Sequence, residues 1–276
     1  MLPFVKTHAL GNDFLLVENN GKIPGDYSQL AHRICDRHFG IGADGLILWK
    51  AGDDSFNVRI FNQDGGEAEC SGNGLRCVAA YLIESGRWKK DAVRLETISG
   101  MYTLKHVGQQ YEADMGEPKL APADIPFVPS LPVDRVVAYP LQAGDQTFSI
   151  SACSTGNPHC SLFVNAVDDS YVERIGPILE RHRSFPNRTN VEFIRIVNDH
   201  EAEVRFWERG VGYSNASGTG SCGAVVACIL NGKTGRKVTV HAKAGDLIVE
   251  WQEGGRLKLT STANIVAEGQ YLEGGN

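Results

Sequence analysis

One pattern is written twice in this chain. VRIFNQDGGEAECSGNG begins at Val58 and VRFWERGVGYSNASGTG begins at Val204, an offset of 146 residues. Without a gap, Val58, Arg59, Gly66, Ser71, Gly72 and Gly74 recur as Val204, Arg205, Gly212, Ser217, Gly218 and Gly220. The register extends outward, since Arg37 and Phe39 fall on Arg183 and Phe185, and Gly86 falls on Gly232. At an offset one residue shorter, Gly11 and Asn12 match Gly156 and Asn157. A repeat of this length, occurring twice, describes duplicated domains rather than a solenoid. The join is marked by Pro118, Pro122, Pro126, Pro129 and Pro132, a density that can neither continue a helix nor sit in a central strand. The expected division is residues 1–118 for the first half, completed by the tail 263–276, and 119–262 for the second. A cleft between two such halves is the expected place for a site.

Each half reads as strand, glycine-rich turn, apolar helix, strand. Strands are expected over Phe14 to Glu18, Asn57 to Phe61 and Val93 to Thr97, and again over Ser161 to Asn165, Val191 to Ile196, Glu203 to Trp207 and Val238 to Ala242. The helices LRCVAAYLIES (Leu75 to Ser85) and SCGAVVACILN (Ser221 to Asn231) are apolar on nearly all sides, which predicts burial. Gly86 and Gly232 follow them as C-terminal caps.

A helix start carries unpaired N–H groups and partial positive charge, and it accepts a carboxylate readily. Here two glycine-rich starts, Ser71-Gly72-Asn73-Gly74 and Ser217-Gly218-Thr219-Gly220, occupy equivalent points of the repeat. One serine before a helix is an ordinary N-cap. A symmetric pair argues for a site where one small anion is held by both. The formal net charge of -6 and the lack of a basic patch argue against nucleic acid as a partner. No GxxxxGK[ST] loop or dinucleotide fingerprint is present, which argues against nucleotides. The N-terminal residues lack a secretory apolar core and no run is long enough to span a bilayer, so a cytoplasmic protein without membrane attachment is expected. The seven cysteines have no CxxC spacing, which predicts reduced thiols and no metal site.

HALGNDF (His8 to Phe14), FGIGADGL (Phe39 to Leu46), FNQDGGEAECSGNGLRC (Phe61 to Cys77), STGNPHC (Ser154 to Cys160), TNVEF (Thr189 to Phe193) and WERGVGYSNASGTGSC (Trp207 to Cys222) occur in the order and spacing of diaminopimelate epimerases. The chain resembles that family, within the proline racemase and diaminopimelate epimerase superfamily, over essentially its whole length. The resemblance implies an α/β (α+β) fold of two pseudo-symmetric domains, each a mixed sheet wrapped around a central apolar helix, often assembled as a homodimer. It also implies a small amino-acid substrate and no pyridoxal phosphate, metal or nucleotide. In the family, one cysteine from each half works on opposite faces of the substrate Cα, a thiolate taking one proton while a thiol delivers another. A free thiol pKa of about 8.5, lowered by a helix start, makes this workable near neutrality. The motif positions of those two cysteines are occupied here by Ser71 and Ser217.

By the same resemblance His159 and Glu208 tune the two catalytic positions. Asn12, Asn62, Asn157, Asn190 and Arg209 match contacts to the distal ammonium and carboxylate of diaminopimelate, and Gly72, Asn73, Gly218 and Thr219 match the cradle of the reacting carboxylate. Asp44 reads as structural or supporting. Taken singly, Asn12 and Asn157 also suit turns, Glu208 and Arg209 a solvated pair, and His159 a hydrogen-bonded core histidine. The surrounding motifs decide for the site. Cys70 adjoins Ser71 but points elsewhere, because neighbouring side chains diverge, and Cys77 and Cys222 read as core thiols.

An alcohol is a far weaker acid than a thiol, so a serine pair makes a poor proton relay. Serine at both equivalent positions argues for one cause acting on both: a deliberate double replacement, or a branch with different chemistry. Three readings follow. The first is an epimerase scaffold for LL- and meso-diaminopimelate with reduced or absent turnover. The second is a dehydratase or single-face isomerase with His159 or Glu208 as base. The third is a non-catalytic amino-acid-binding relative.

Overall fold

The computed structural model describes residues 1–21, 23 and 26–272; residues 273–276 of the expected C-terminal tail lie outside the described residues. The chain divides into two compact units, Met1–Ala113 with the segment from Ser261 onward, and Asp114–Thr260. The change of unit falls inside a strand rather than in the proline-rich stretch, which belongs wholly to the second unit. There it forms irregular chain with one 3-10 turn at Pro122–Asp124.

The first unit contains β1 (Leu2–Ala9), β2 (Asn12–Glu18), α1 (Tyr27–Ile34), β3 (Gly45–Ala51), β4 (Phe56–Asn62), β5 (Glu67–Ala68), α2 (Gly72–Glu84), β6 (Ala92–Thr97) and β7 (Gly100–Val107). β8 (Gln110–Gly116) leads out of it. The second contains β9 (Tyr139–Ala143), β10 (Gln146–Ser154), β11 (Pro158–Phe163), α3 (Asp169–Glu180), β12 (Asn190–Asn198), β13 (Glu201–Glu208), β14 (Gly212–Ser214), α4 (Gly218–Leu230), β15 (Lys237–Ala242), β16 (Gly245–Trp251) and β17 (Leu257–Ser261). β18 (Asn264–Tyr271) returns to pair antiparallel with β1.

The duplication is architectural. Parallel β2 and β3 are joined through α1, and parallel β11 and β12 through α3. Parallel β4 and β6 are joined through α2, and parallel β13 and β15 through α4. The remaining pairings are antiparallel, so the strand pairing within each unit is mixed. A parallel pair needs a crossover, and each crossover helix covers the sheet that it leaves.

Helices α2 and α4 are the central ones. α2 packs against β1, β2, β7 and β18, whereas α4 packs against β10, β11, β12, β13, β15 and β16. Residues Leu75 to Leu82 of α2 and Ser221 to Cys228 of α4 are buried, as expected from sequences that are apolar on nearly all sides, and Arg76 of α2 is buried with them. Gly86 and Gly232 follow their C-caps with left-handed φ of 70° and 64°, where a side chain would strain the backbone. The flanking core of the first unit gathers Phe4, Leu15, Val17, Leu30, Ile34, Leu46 and Phe61. That of the second gathers Phe127, Leu141, Ile150, Val172, Leu179, Val191 and Phe193.

Two local expectations shift. Both central helices begin three residues earlier than their apolar runs, at Gly72 and Gly218, because the serine caps draw the glycines into the first turn. The strand expected over Ser161 to Asn165 instead runs Pro158–Phe163, with Pro158 at the first position, where no ladder hydrogen bond is needed from it.

Candidate functional site

In the first unit the candidate site is the start of α2. Ser71 is extended at φ -142° and ψ 114°, and its Oγ accepts the Gly74 N–H at 3.1 Å. The first helical backbone bond runs from Leu75 N–H to Ser71 O at 2.8 Å. Gly72 and Asn73 therefore stand ahead of it, with N–H groups aimed out of the helix. A Cβ on Gly74 would lie 2.8 Å from Ile47 Cδ1, so the end of the Ile47 side chain would have to shift.

A directed chain of hydrogen bonds orients the amides beside this start. Arg76 Nη2 donates to Asn73 Oδ1, Asn73 Nδ2 donates to Asn12 Oδ1 at 3.1 Å, and Asn12 Nδ2 donates to Asp44 Oδ2 at 2.8 Å. Asp44 is itself held by Arg37 at 2.8 Å. Asp13, next to Asn12, takes Arg37 at 2.7 Å and Lys6 at 3.1 Å. Burial raises the Asp13 carboxyl, but hydrogen bonds from Arg37 and Lys6 outweigh it and hold its pKa below the ordinary value. Asp44, expected to be structural or supporting, is the acceptor for Asn12 Nδ2 in this chain of bonds. Asn62 is exposed at the end of β4, where its backbone closes the turn to Gly65 and Gly66.

In the second unit the start of α4 repeats the device. Ser217 is extended at φ -140° and ψ 123°, accepts the Gly220 N–H at 3.2 Å, and is buried. A Cβ on Gly220 would lie 2.8 Å from Phe206 Cδ1. The first backbone bond is Ser221 N–H to Ser217 O at 3.0 Å, so Gly218 and Thr219 stand ahead of it. The Ser217 hydroxyl donates to Glu208 Oε2 at 3.2 Å. Arg209 is anchored by its backbone N–H to Asn190 Oδ1 at 2.9 Å and by its guanidinium to Asn187 O at 3.2 Å. Asn190 is buried and also donates to Pro158 O at 2.9 Å, so its amide ties the backbone that carries Arg209 to the start of β11.

His159 lies on β11, fully buried. Nδ1 is 2.6 Å from Glu192 Oε1 and Nε2 is 2.8 Å from Asn157 Oδ1. Glu192 also accepts from Ser161 Oγ at 2.8 Å. Sequence reasoning missed Glu192, although it sits inside the TNVEF motif; the signal was an acid between Val191 and Phe193 in an otherwise apolar run. It also missed Glu180 of α3, a buried carboxylate that accepts Trp207 Nε1 at 2.9 Å and the Gly210 N–H at 3.1 Å. Burial raises the Glu180 pKa, yet those donors, with Arg181 and Arg188, bring it below the ordinary value. Glu180 thereby clamps both ends of the turn that presents Glu208 and Arg209.

Cys77 and Cys222 are fully buried, as expected of core thiols. Cys70 is half-buried beside Ser99 and Tyr102, and its burial raises the thiol pKa despite those hydrogen bonds. Among the described residues no three His, Cys, Asp or Glu side chains converge as a metal set, and no helix is long and apolar enough to cross a membrane. A cavity of about 700 Å³ in the first unit, lined by Phe4, Trp49, Arg87 and Glu268 among others, contains none of the candidate residues.

Two duplicated units, each with a serine-capped buried helix inside a mixed sheet, have the fold of known epimerases and their structural relatives. A hydroxyproline epimerase from Agrobacterium vitis superposes with a TM-score of 0.63 at 16% identity, over 98% of this chain and 90% of that one. A phenazine biosynthesis protein from Bacillus anthracis superposes with a TM-score of 0.69 at 14% identity, over 97% of each chain. In sequence, the profile of diaminopimelate epimerase matches residues 4–121 and 151–266. The diaminopimelate epimerase of Pelotomaculum thermopropionicum is 46% identical over 98% of this chain and 99% of its own length. That of Synechocystis is 42% identical over 98% of each. The chain belongs to the diaminopimelate epimerase family, whose members are isomerases.

Proposed function

We propose that the chain recognises LL- and meso-diaminopimelate and interconverts them without a cofactor, in the cytoplasm and as a homodimer, at a rate limited by the serines at positions 71 and 217. The observation that carries this reading is the matched pair of helix starts. Each leaves two N–H groups, those of Gly72 and Asn73 and those of Gly218 and Thr219, ahead of its first intrahelical bond. Such groups stabilise a carboxylate, and they stabilise it more as charge builds on it when the neighbouring Cα–H is removed.

Proton transfer then belongs to the two capping positions. Ser217 has a carboxylate acceptor in Glu208. Ser71 accepts from Gly74 N–H, which is a cap interaction rather than a base. An alcohol holds its proton too tightly to act as a thiolate would, so substrate recognition persists while turnover falls. The loss is about 10²- to 10⁴-fold, the usual contribution of a positioned acid or base.

Calorimetry on the full chain tests recognition apart from turnover. meso-Diaminopimelate should bind, and lysine, which lacks the distal carboxylate, should bind at least about tenfold more weakly, the equivalent of one charge-assisted contact. Equal affinity for the two ligands contradicts the substrate assignment.

A further inference from the structure

Glu192 is a fully buried carboxylate, and nothing in the reaction described above uses it directly. It lies on β12, parallel to β11, in a register that sets Ser161 opposite Glu192 and His159 opposite Asn190. Its two oxygens divide between those neighbours on β11: Oε1 meets His159 Nδ1 at 2.6 Å and Oε2 accepts from Ser161 Oγ at 2.8 Å. A carboxylate oxygen accepts hydrogen bonds, so this contact places a proton on Nδ1. Nε2 is then the nitrogen facing the Asn157 amide, whose Oδ1 lies 2.8 Å away; a bare Nε2 accepts from that amide with its Nδ2 turned toward the ring.

The ring has little room to choose otherwise. α4 passes over it with Gly223, where even a Cβ would come within 2.8 Å of His159 Cβ and Cγ. A buried charge is costly unless it is paired and hydrogen-bonded, and packing alone would be served by a neutral side chain. The geometry points to Glu192 as the positioning residue that fixes the tautomer and orientation of His159, with Nδ1–H held by Glu192 and Nε2 presented to Asn157. A carboxylate that sets which imidazole nitrogen carries the proton is a general device of histidine sites. In this chain it places one tuning residue against one ligand-binding amide within a single unit.

The inference rests on the proposed function only for its effect on rate; the tautomer is measurable without substrate. Long-range ¹H–¹⁵N correlation spectra of the full-length protein at neutral pH should show His159 with a proton on Nδ1. A ring with a bare Nδ1 and its proton on Nε2 overturns the inference, and this measurement needs no variant to fold. In Glu192→Gln the His159 pattern should change toward the other tautomer; an unchanged pattern in the folded variant also overturns it. In a Ser71→Cys, Ser217→Cys background that epimerises diaminopimelate, adding Glu192→Gln should lower kcat by about a hundredfold or more, with KM changed by less than about threefold. Unchanged kcat there counts against the inference while leaving the function intact. If that background does not epimerise, the function fails instead, and the ring spectra alone decide on Glu192.

Discussion

The Ser217 hydroxyl donates to the Glu208 carboxylate across 3.2 Å, and the repeat places Asn62 in the first half where Glu208 stands in the second. The two caps are alike in backbone and unlike in chemistry, because Ser217 Oγ donates to a carboxylate whereas Ser71 Oγ accepts from the Gly74 N–H. Glu208→Gln should therefore reduce Cα hydrogen exchange by about 10²-fold or more while leaving the helix cap, and hence Tm, nearly unchanged. Ser217→Ala should also cost about 1 kcal/mol of stability, because it removes the oxygen that caps Gly220 N–H. Deuterium exchange and thermal melts on the two variants separate these effects.

Gly223 should not tolerate alanine. In an exposed helix this change stabilises by about 1 kcal/mol. Here the new Cβ would lie 2.8 Å from His159 Cβ and Cγ, atoms near the backbone of a buried strand, so the sign reverses. Gly223→Ala should destabilise by about 1–3 kcal/mol, the usual range for overpacking a core, and should weaken ligand binding through His159 and Asn157. Denaturant melts check the first effect and calorimetry the second.

Cys70 should be the thiol that answers a polar alkylating reagent in the native protein, because the other described cysteines are buried. Its rate should be lower than that of an unstructured thiol at pH 7 to 8. Burial raises its pKa, and only the thiolate reacts. Mass spectrometry after limited labelling locates the modified residue, and a rate equal to that of a free thiol contradicts the expected shift.

Acid should remove a defined share of stability in the second unit. Burial raises the Asp114 carboxyl, but bonds from Arg256, the Gly116 N–H and Lys258 prevail, and its pKa is pushed down to about 2 from 3.8. Because the folded value lies below the unfolded one, the stabilisation is fully present above about pH 4 and is lost as pH falls toward 2. A shift of this size sets an upper limit of about 2 kcal/mol, lowered by the exposure of Arg256. Asp114→Asn should lower stability at pH 7 by up to that amount and flatten the loss between pH 4 and 2 in equilibrium melts.

How much of this was legible follows from where each residue gets its meaning. Ser71, Ser217 and the glycines after them could be read because a repeated local pattern states its own geometry. Gly86 and Gly232 could be read because only a left-handed residue suits the end of each central helix. α1 and α3 escaped reading: α1 spans only eight residues, and α3 contains Gly176 and Pro177, which look like a break. Gly176 is there because Trp207 packs where its Cβ would be, at 2.5 Å from Cγ. Glu180 and Glu192 were hidden for a related reason. An acid in a strand or helix reads as facing water unless its partners are known, and theirs, Trp207 and His159, come from other elements.

Restoring cysteine at both caps gives the most direct measurement. Ser71→Cys, Ser217→Cys protein, incubated with LL-diaminopimelate in heavy water, should form the meso isomer with one deuterium at the inverted Cα. It should do so about 10² to 10⁴ times faster than the serine protein. A folded double variant that leaves LL-diaminopimelate unchanged and undeuterated would contradict the assignment of these two positions to proton transfer on this substrate.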